Sequence, residues 1–594
     1  MPPRPEYPNP QFERRFWLSL NGDWRFDFDD ASEGLAHGWY RPGHLLPRSI
    51  RVPFCFESHA SGIADTGFHP VCWYSRLFRV PEHWTGRTLL RFGAVDYRAD
   101  VWVNGAHAGS HEGGQTPFAI DVSTLLIASG ENTVTVRVED PPQDRSIPRG
   151  KQYWKPQSEF IWYTRTSGIW QSVWLESVGG SFLESVRVTA HHDGRLSFEP
   201  IVAHAKPGLL FSAKVSLAGE PVWQGMTSLN GACTTLSTHI DDCRPWSPDS
   251  PDLYDVTFEL LDNGAALDTV QSYFGFRSVE VRDGALYLNN APLQLRFVLD
   301  QGYWPDTLLT PPSDEAILSD IRSALSLGFN GVRKHQKVED PRFLYWADRL
   351  GLLVSGEIGN ACAFTPQSVA RLTREWTEVI ERDYNHPSII MWIPLNESWG
   401  VPDLRDPRQQ NHLRAMYALT KSLDATRLVI DNDGWEHTEM TDLFGVHDYT
   451  PKGADLAAKY QKPIEQAPRI PTIARPSLVK DGHYNGAPLF LSEFGGVAYV
   501  PPRTAVAQDA WGYYGVECEY SEALARIRDL LAAAARLPGS VGFCYTQLTD
   551  VEQEINGLFT YDRRPKFDPR EIRAAMGVEP IAEIPGKCAS ATAA

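Results

Sequence analysis

The chain has 594 residues, with 56 Lys and Arg against 74 Asp and Glu, a formal charge of −18. That length exceeds what one hydrophobic core can hold and implies three or four domains, while 42% hydrophobic and 22% charged residues are ordinary globular proportions. So acidic a surface repels phosphate backbones and anionic headgroups, which argues against nucleic acid and anionic membranes as partners.

No run approaches the ~20 apolar residues that a bilayer-spanning helix needs. The opening MPPRPEYPNPQFERRFW puts prolines and charges where a signal peptide has its apolar stretch. Eight cysteines (55, 72, 233, 243, 362, 518, 544, 588) show no zinc-like spacing. Reduced thiols in a cytoplasmic protein are the expectation, with Cys233 and Cys243 as a pair that would bridge only in a secreted one.

From about Trp17 to Leu175, short alternating apolar runs are separated by Gly, Pro and Asn-Gly turns. WYSRLFRV (73–80), TLLRFGAV (88–95), YRADVWVNG (97–105) and GIWQSVWLE (168–176) read as strands. Asn104-Gly105 marks a hairpin, since both residues tolerate positive φ. Many short strands without helices predict a jelly-roll sandwich over 1–177. AKVSLAG, DLYDVTFELLD and DTVQSYFGFRSVEV continue the alternation, and a span of about a hundred residues predicts an immunoglobulin-like sandwich over 178–279. Neither region carries a catalytic cluster of its own, so both read as scaffold or sugar-binding modules.

After residue 280, apolar runs alternate with helix-length amphipathic segments, the pattern of parallel βα units. Eight strands are predicted: QLRFVLD (294–300), FNGVRKH (329–335), GLLVSGEI (351–358), SIIMWIPLNES (388–398), RLVIDNDG (427–434), FGVHDYT (444–450), LFLSEFGG (489–496) and VGFCYTQL (541–548). Ser313 caps a helix with Ile317, Ile321 and Leu325 on one face, and Pro341 begins another. Eight such units predict a TIM barrel over 280–594, whose active site lies at the C-terminal strand ends.

The residues ending each run then become informative: Asp300, Arg333 and His335, Glu357, Asn396 and Glu397, Asp431 and Asp433, His447 and Tyr449, Glu493, Tyr545 and Gln547. Glu397 and Glu493 end strands 4 and 7, on opposite sides of the mouth. Two carboxyls facing each other across a sugar suit glycosidic cleavage with retention, one attacking carbon and the other moving the proton. The acid of the pair needs a raised pKa, which the nucleophile's charge supplies. Asn396 is placed to bond a sugar hydroxyl and Tyr449 to donate to Glu493. The bland alternative is a pair of loop glutamates.

The segments GIWQSVWLE, FGFRSVEV, GFNGVRKH, WADRLGLLV, WIPLNES and FLSEFGG resemble glycoside hydrolase family 2, which includes β-galactosidases, β-glucuronidases and β-mannosidases. The resemblance runs from LNGDWRF near residue 20 to GLFTYDRRPK near residue 566. It implies a jelly-roll domain, an immunoglobulin-like domain and a TIM barrel, together with a glycoside or oligosaccharide substrate. The family's acid/base, a Glu after Asn ending strand 4, falls on Glu397; its nucleophile, in a SE(Y/F)G context, falls on Glu493. A homo-oligomer is a further implication.

Departures from the family pattern bear on specificity. The Asn-x-Lys motif of β-glucuronidases is replaced by Glu554-Ile555-Asn556-Gly557, without the lysine and with a glutamate that repels a uronate. No equivalent of the magnesium cluster of large β-galactosidases stands out, so no metal and no cofactor is expected; Glu357 and His335 read as a hydrogen-bonded pair. Tyr545 stands where the family has a Trp after strand 8, a smaller platform that leaves room for Gln547. Trp304 is a candidate to stack on sugar, and Trp399, Trp435, Trp154 and Trp162 to wall the site. A neutral sugar is expected: β-D-galactopyranoside first, by family prevalence, with α-L-arabinopyranoside, β-D-galactofuranoside and α-L-arabinofuranoside as alternatives and β-mannoside behind them. A non-catalytic carbohydrate-binding homologue and a transglycosylase are the rival classes.

Overall fold

The computed structural model describes residues 2–229, 234–461, 475–502, 504, 507 and 509–579. The first region folds as two antiparallel sheets. The larger has six strands in the order Arg48–Val52, Gly22–Phe28, Val71–Phe78, Asn132–Glu139, Arg98–Val103, Ala106–Glu112. The smaller has Trp17–Ser19, Val173–Val178, Arg87–Phe92 and Phe118–Asp121. The inward residues of each alternation, such as Trp24, Phe26, Val101, Val136 and Leu175, fill one shared core. Asn104 and Gly105 connect the pair Arg98–Val103 and Ala106–Glu112 with φ of 52° and 81°, as the hairpin signal predicts. This is the jelly-roll sandwich.

A three-stranded sheet (Phe182–Ala190, Arg195–Ala203, Leu236–His239) faces a four-stranded one (Glu220–Ser228, Leu210–Leu217, Tyr254–Asp262, Ala265–Phe274) in the immunoglobulin-like sandwich. Arg14 ties the two sandwiches. It reaches Glu176 at 2.7 Å on the first and Asp268 at 2.8 Å on the second, all three buried. A buried charge that loses its partner is costly. Arg14→Met is therefore expected to destabilise the chain by about 3–5 kcal/mol, read as a lower denaturant midpoint; an unchanged midpoint would show that the tie carries no stability. The suggested pair of Cys233 with Cys243 lies outside the described residues, among which Cys55, Cys72, Cys243, Cys362, Cys518 and Cys544 are free thiols.

The barrel strands are β1 (Leu295–Asp300), β2 (Gly331–Lys334), β3 (Leu353–Glu357), β4 (Ile389–Ile393), β5 (Leu428–Val429), β6 (Phe444–His447), β7 (Leu489–Gly495) and β8 (Ser540–Thr546). They pair in parallel in the order β5-β4-β3-β2-β1-β8-β7-β6. Each is apolar on both faces because each is covered twice. Leu295, Phe297 and Leu299 of β1 fill the interior with Ile390, Ile393, Phe490 and Cys544. Val298, Trp392, Leu491 and Phe543 point out to the helices. The first helix, Asp314–Ser326, starts where the Ser313 hydroxyl accepts from Ala316 N, and it buries Ile317, Ile321 and Ala324.

The jelly roll docks beside the barrel mouth. Tyr97 donates to Glu375 at 2.9 Å, and Gln115 accepts from Val338 N at 2.9 Å. Its segment 150–164 crosses the mouth: Tyr163 OH donates to Glu554 at 2.5 Å, and Gln553 donates to the carbonyls of Phe160 and Trp162. The second sandwich sits at the opposite end, where Arg277 donates to the Pro387 and Ile389 carbonyls at the start of β4. Among the described residues, no helix is long and apolar enough to cross a membrane.

Candidate active site

Glu397 leaves β4 with φ of 49°, and Ser398 follows with φ of 58°. Two successive non-glycine residues in the left-handed region are uncommon and are sustained by their surroundings. Glu397 N donates to Asp433 O at 2.8 Å, and Ser398 N to Asn432 Oδ1 at 2.8 Å, so the loop after β5 holds the loop after β4. Glu493 is an inward residue of β7. An oxygen of each glutamate and a ring nitrogen of His447 all lie within 4.8 Å of one another.

Arg333, fully buried at the end of β2, organises the floor. It donates to Glu357 at 2.9 Å, to Glu493 Oε1 at 2.9 Å and to Asn396 Oδ1 at 2.6 Å, with Asp433 at 2.7 Å. Tyr449 OH donates to the other Glu493 oxygen at 2.6 Å; burial and the Glu493 charge push its pKa well up, so it stays a donor. Glu493 thus has a charge-assisted donor on each oxygen. A metal could accept the spacing of Glu397, His447 and Glu493, but the positive charge there already comes from Arg333, whose Nη1 is also 3.1 Å from His447 Nε2.

His447 lies between the two glutamates, Nδ1 2.7 Å from Glu397 Oε1 and Nε2 3.4 Å from Glu493 Oε1. Burial opposes its charge, yet Glu493, Asp433 and Glu397 raise its pKa to about 10, so it is an imidazolium at neutral pH. The expected raised pKa for Glu397 is not found. Burial does push it up, but the hydrogen bond from His447 and the charges of His447 and Lys151 hold the carboxyl below its usual range. The sequence expectation counted the charge of Glu493 and not that of His447. His335 is 3.1 Å from Glu357 and 4.0 Å from Glu493; burial, Arg333 and Lys151 keep it neutral.

The expected residues Asn396, Arg333, His335, Glu357, His447 and Tyr449 therefore converge on the two glutamates. Gln547 lies in a chain at the edge of this group: it accepts from Gln301 at 2.9 Å and donates to Asn556 at 2.7 Å, which donates to Glu554 at 3.1 Å. Trp399 stacks on Trp162 with centroids 4.6 Å apart, and Trp154 meets Trp162 edge-on at 4.5 Å, an aromatic wall beside Glu397. Trp435 follows Gly434, which packs on the His447 ring, and its indole nitrogen is buried without a protein partner.

Three expected residues stand elsewhere. Asp300 is bound to Lys334 at 2.7 Å and to Gly302 N at 2.9 Å. Trp304 is buried under its loop between Lys337 and Arg563, 5.0 and 5.2 Å from its ring. Tyr545 is not the platform expected of it. The alternation of β8 turns it outward, where its ring packs on Phe494 and against Gly495. The inward neighbour is Thr546, whose hydroxyl is 3.2 Å from Tyr449 OH. Asp433, Lys151 and Tyr513, which stacks on Tyr449 at 3.6 Å, belong to the site without having been assigned to it. Asp433 was visible as a strand end; nothing in the sequence ties the other two to the mouth.

Three profiles of one family match the chain: the glycosyl hydrolases family 2 sugar binding domain over residues 17–178, glycosyl hydrolases family 2 over 213–277, and the family 2 TIM barrel domain over 279–474. Among curated relatives, a β-galactosidase of Thermoanaerobacter pseudethanolicus is 27% identical over 476 residues, covering 75% of this chain and 58% of that protein. A β-glucuronidase of Paenibacillus borealis is 26% identical over 439 residues, 69% of this chain and 71% of that one. The chain spans 43% to 58% of the length of the β-galactosidases it matches. Among solved structures, the Lactobacillus rhamnosus β-glucuronidase superposes with a TM-score of 0.77 at 22% identity over 97% of this chain and 99% of that one. The Bifidobacterium dentium β-glucuronidase complexed with coumarin-3-O-glucuronide gives 0.79 at 19%, over 95% and 98%. With all three profiles aligned in order on the two sandwiches and the barrel, the chain belongs to glycosyl hydrolases family 2.

Proposed function

We propose that the protein is a retaining exo-β-glycosidase acting on a terminal neutral sugar, with Glu493 as nucleophile and Glu397 as acid/base. The observation that carries this is the approach of the two carboxylates to within 4.8 Å. Retaining enzymes hold them about 5–5.5 Å apart, whereas inverting ones leave about 6.5–9.5 Å for a water. Glu493 attacks the anomeric carbon while Glu397, in its protonated form, gives its proton to the departing oxygen, leaving a glycosyl ester on Glu493. Glu397 then takes a proton from water, whose oxygen attacks the same carbon and frees Glu493. Arg333 and Tyr449 orient Glu493 for the attack with a donor on each of its oxygens, and imidazolium His447 stabilises the carboxylate that Glu397 becomes.

β-D-Galactoside is the first glycone to test, in keeping with the names of six of its curated relatives. Glu554, buried on the wall formed with Tyr163, speaks against a uronate, although β-glucuronidases stand among the relatives. The test is a panel of nitrophenyl glycosides: β-D-galactopyranoside, α-L-arabinopyranoside, both furanosides, β-D-mannoside and β-D-glucuronide. Turnover of one neutral member supports the reading, and turnover of the glucuronide alone contradicts the glycone.

His447 gives a pH prediction. It now lowers the pKa of Glu397, so its removal lets that pKa rise, and Glu397 keeps its proton to higher pH. His447→Gln is expected to move the alkaline limb of kcat/KM upward. A limb that stays or moves down would remove His447 from the proton inventory.

A further inference from the structure

Lys151 enters the barrel mouth from the jelly roll, and the backbone fixes it there. Gly150 has φ of 59°, and a Cβ on it would come within 2.2 Å of the Gln336 carbonyl, so only glycine lets the chain lie this close to the barrel. Gly150 N donates to Asn360 O at 3.1 Å, and Lys151 O accepts from Tyr163 N at 2.9 Å. The Lys151 residue is 7% exposed. Among the described residues its ammonium has no carboxylate oxygen within 4.0 Å and no hydrogen bond, only the face of Trp399 at 5.2 Å. Other buried lysines are satisfied: Lys334 by Asp300 and Glu339, Lys337 by Glu339 and two carbonyls, Lys566 by Asp550 and a carbonyl. Unlike theirs, the Lys151 ammonium is not sealed from solvent, so it stands at the mouth free to meet an oxygen that arrives there.

Glu554 is tied to the same segment through Tyr163, whose OH donates to it and whose N donates to Lys151 O. It is buried, accepts from Tyr163 and Asn556, and its charge and that of Lys151 act on each other without an ion pair within 4.0 Å. A donor-only group and an acceptor, held apart at a sugar site, are complementary to hydroxyls placed between them. We propose that Lys151 and Glu554 form a specificity clamp for a neutral sugar, Lys151 donating to one substrate oxygen and Glu554 accepting from a substrate hydroxyl. The clamp rests on the β-glycosidase reading and deepens it. Its two charges reject both kinds of charged sugar, Glu554 repelling a uronate and Lys151 an amino sugar.

The test uses the full chain with K151M, K151R and E554Q, assayed on the best glycoside of the panel, its uronic acid counterpart and its amino-sugar counterpart. K151M is expected to lower kcat/KM on the neutral substrate by about 10–100-fold, the worth of one charge-assisted hydrogen bond, with K151R keeping most of it. E554Q should lose activity on the neutral substrate similarly while gaining on the uronide relative to it. K151M should gain likewise on the amino sugar. Because both groups hold one ligand, the K151M/E554Q double variant should lose less than the product of the single losses. K151M within about twofold of wild type, while Glu493→Gln is inactive, overturns the clamp and leaves the glycosidase reading intact. A wild type that prefers the uronide and needs Lys151 for it also overturns the clamp, making Lys151 a receptor for an oxyanion. If K151M does not fold, the E554Q selectivity decides: an unchanged ratio of uronide to neutral rates refutes it.

Discussion

Glu493→Gln is expected to lower kcat on the preferred glycoside by about 10⁴-fold or more, the scale on which removal of a covalent nucleophile acts. The amide keeps the size of the side chain and can still accept from Tyr449, so the fold should survive; what it lacks is the charge that attacks carbon. Arg333 would lose one of its carboxylates but keep Glu357 and Asp433 at 2.9 and 2.7 Å. An unchanged circular dichroism spectrum beside lost turnover is the expected pair of observations. Residual activity above about 1% of wild type would mean that another group forms the glycosyl bond or that none is formed.

Glu397→Ala is expected to act through the leaving group. A glycoside with a poor leaving group should lose about 10²–10⁴-fold, the usual contribution of positioned acid catalysis, while a dinitrophenyl glycoside should suffer far less in its first step. The space left beside His447 admits a small anion, and the imidazolium at Nδ1 attracts it. Added azide should therefore restore turnover and yield a β-configured glycosyl azide. An α-configured product from a β-glycoside contradicts retention. Equal losses on good and poor leaving groups would remove Glu397 from the proton-transfer role.

Much of this architecture could be read from the chain because a parallel barrel strand is buried on both faces and appears as a short apolar run. Seven of the eight runs contain a barrel strand, and the eighth misses only its first residue, Ser540. The shortest strand is Leu428–Val429, because the residues after it give up ladder bonding to hold loops and the floor: Asp431 accepts from His437 and Thr438, and Asp433 pairs with Arg333 and His447. The two glutamates were legible from their strand ends and motif context. Side-chain direction at a strand end was not, which is why Tyr545 faces the helices and Thr546 the mouth. Asp300 ends β1 as expected, yet Lys334 on the next strand takes it, a neighbour fixed only by the register of β1 on β2. Lys151 was illegible for a different reason. Its place depends on Gly150 touching Gln336, a contact between residues 186 positions apart that no local pattern encodes. The lowered pKa of Glu397 has the same origin, since His447 reaches it from across the mouth.

Retention by this pair of carboxylates requires a covalent glycosyl intermediate on Glu493. It is tested most directly by incubating the wild-type enzyme with the 2-deoxy-2-fluoro dinitrophenyl derivative of the glycone that the panel selects, then mapping the labelled peptide by mass spectrometry. One fluoroglycosyl unit on Glu493, with activity lost in step with labelling, is the expected result. A label on a different residue, or turnover without any label, would contradict it.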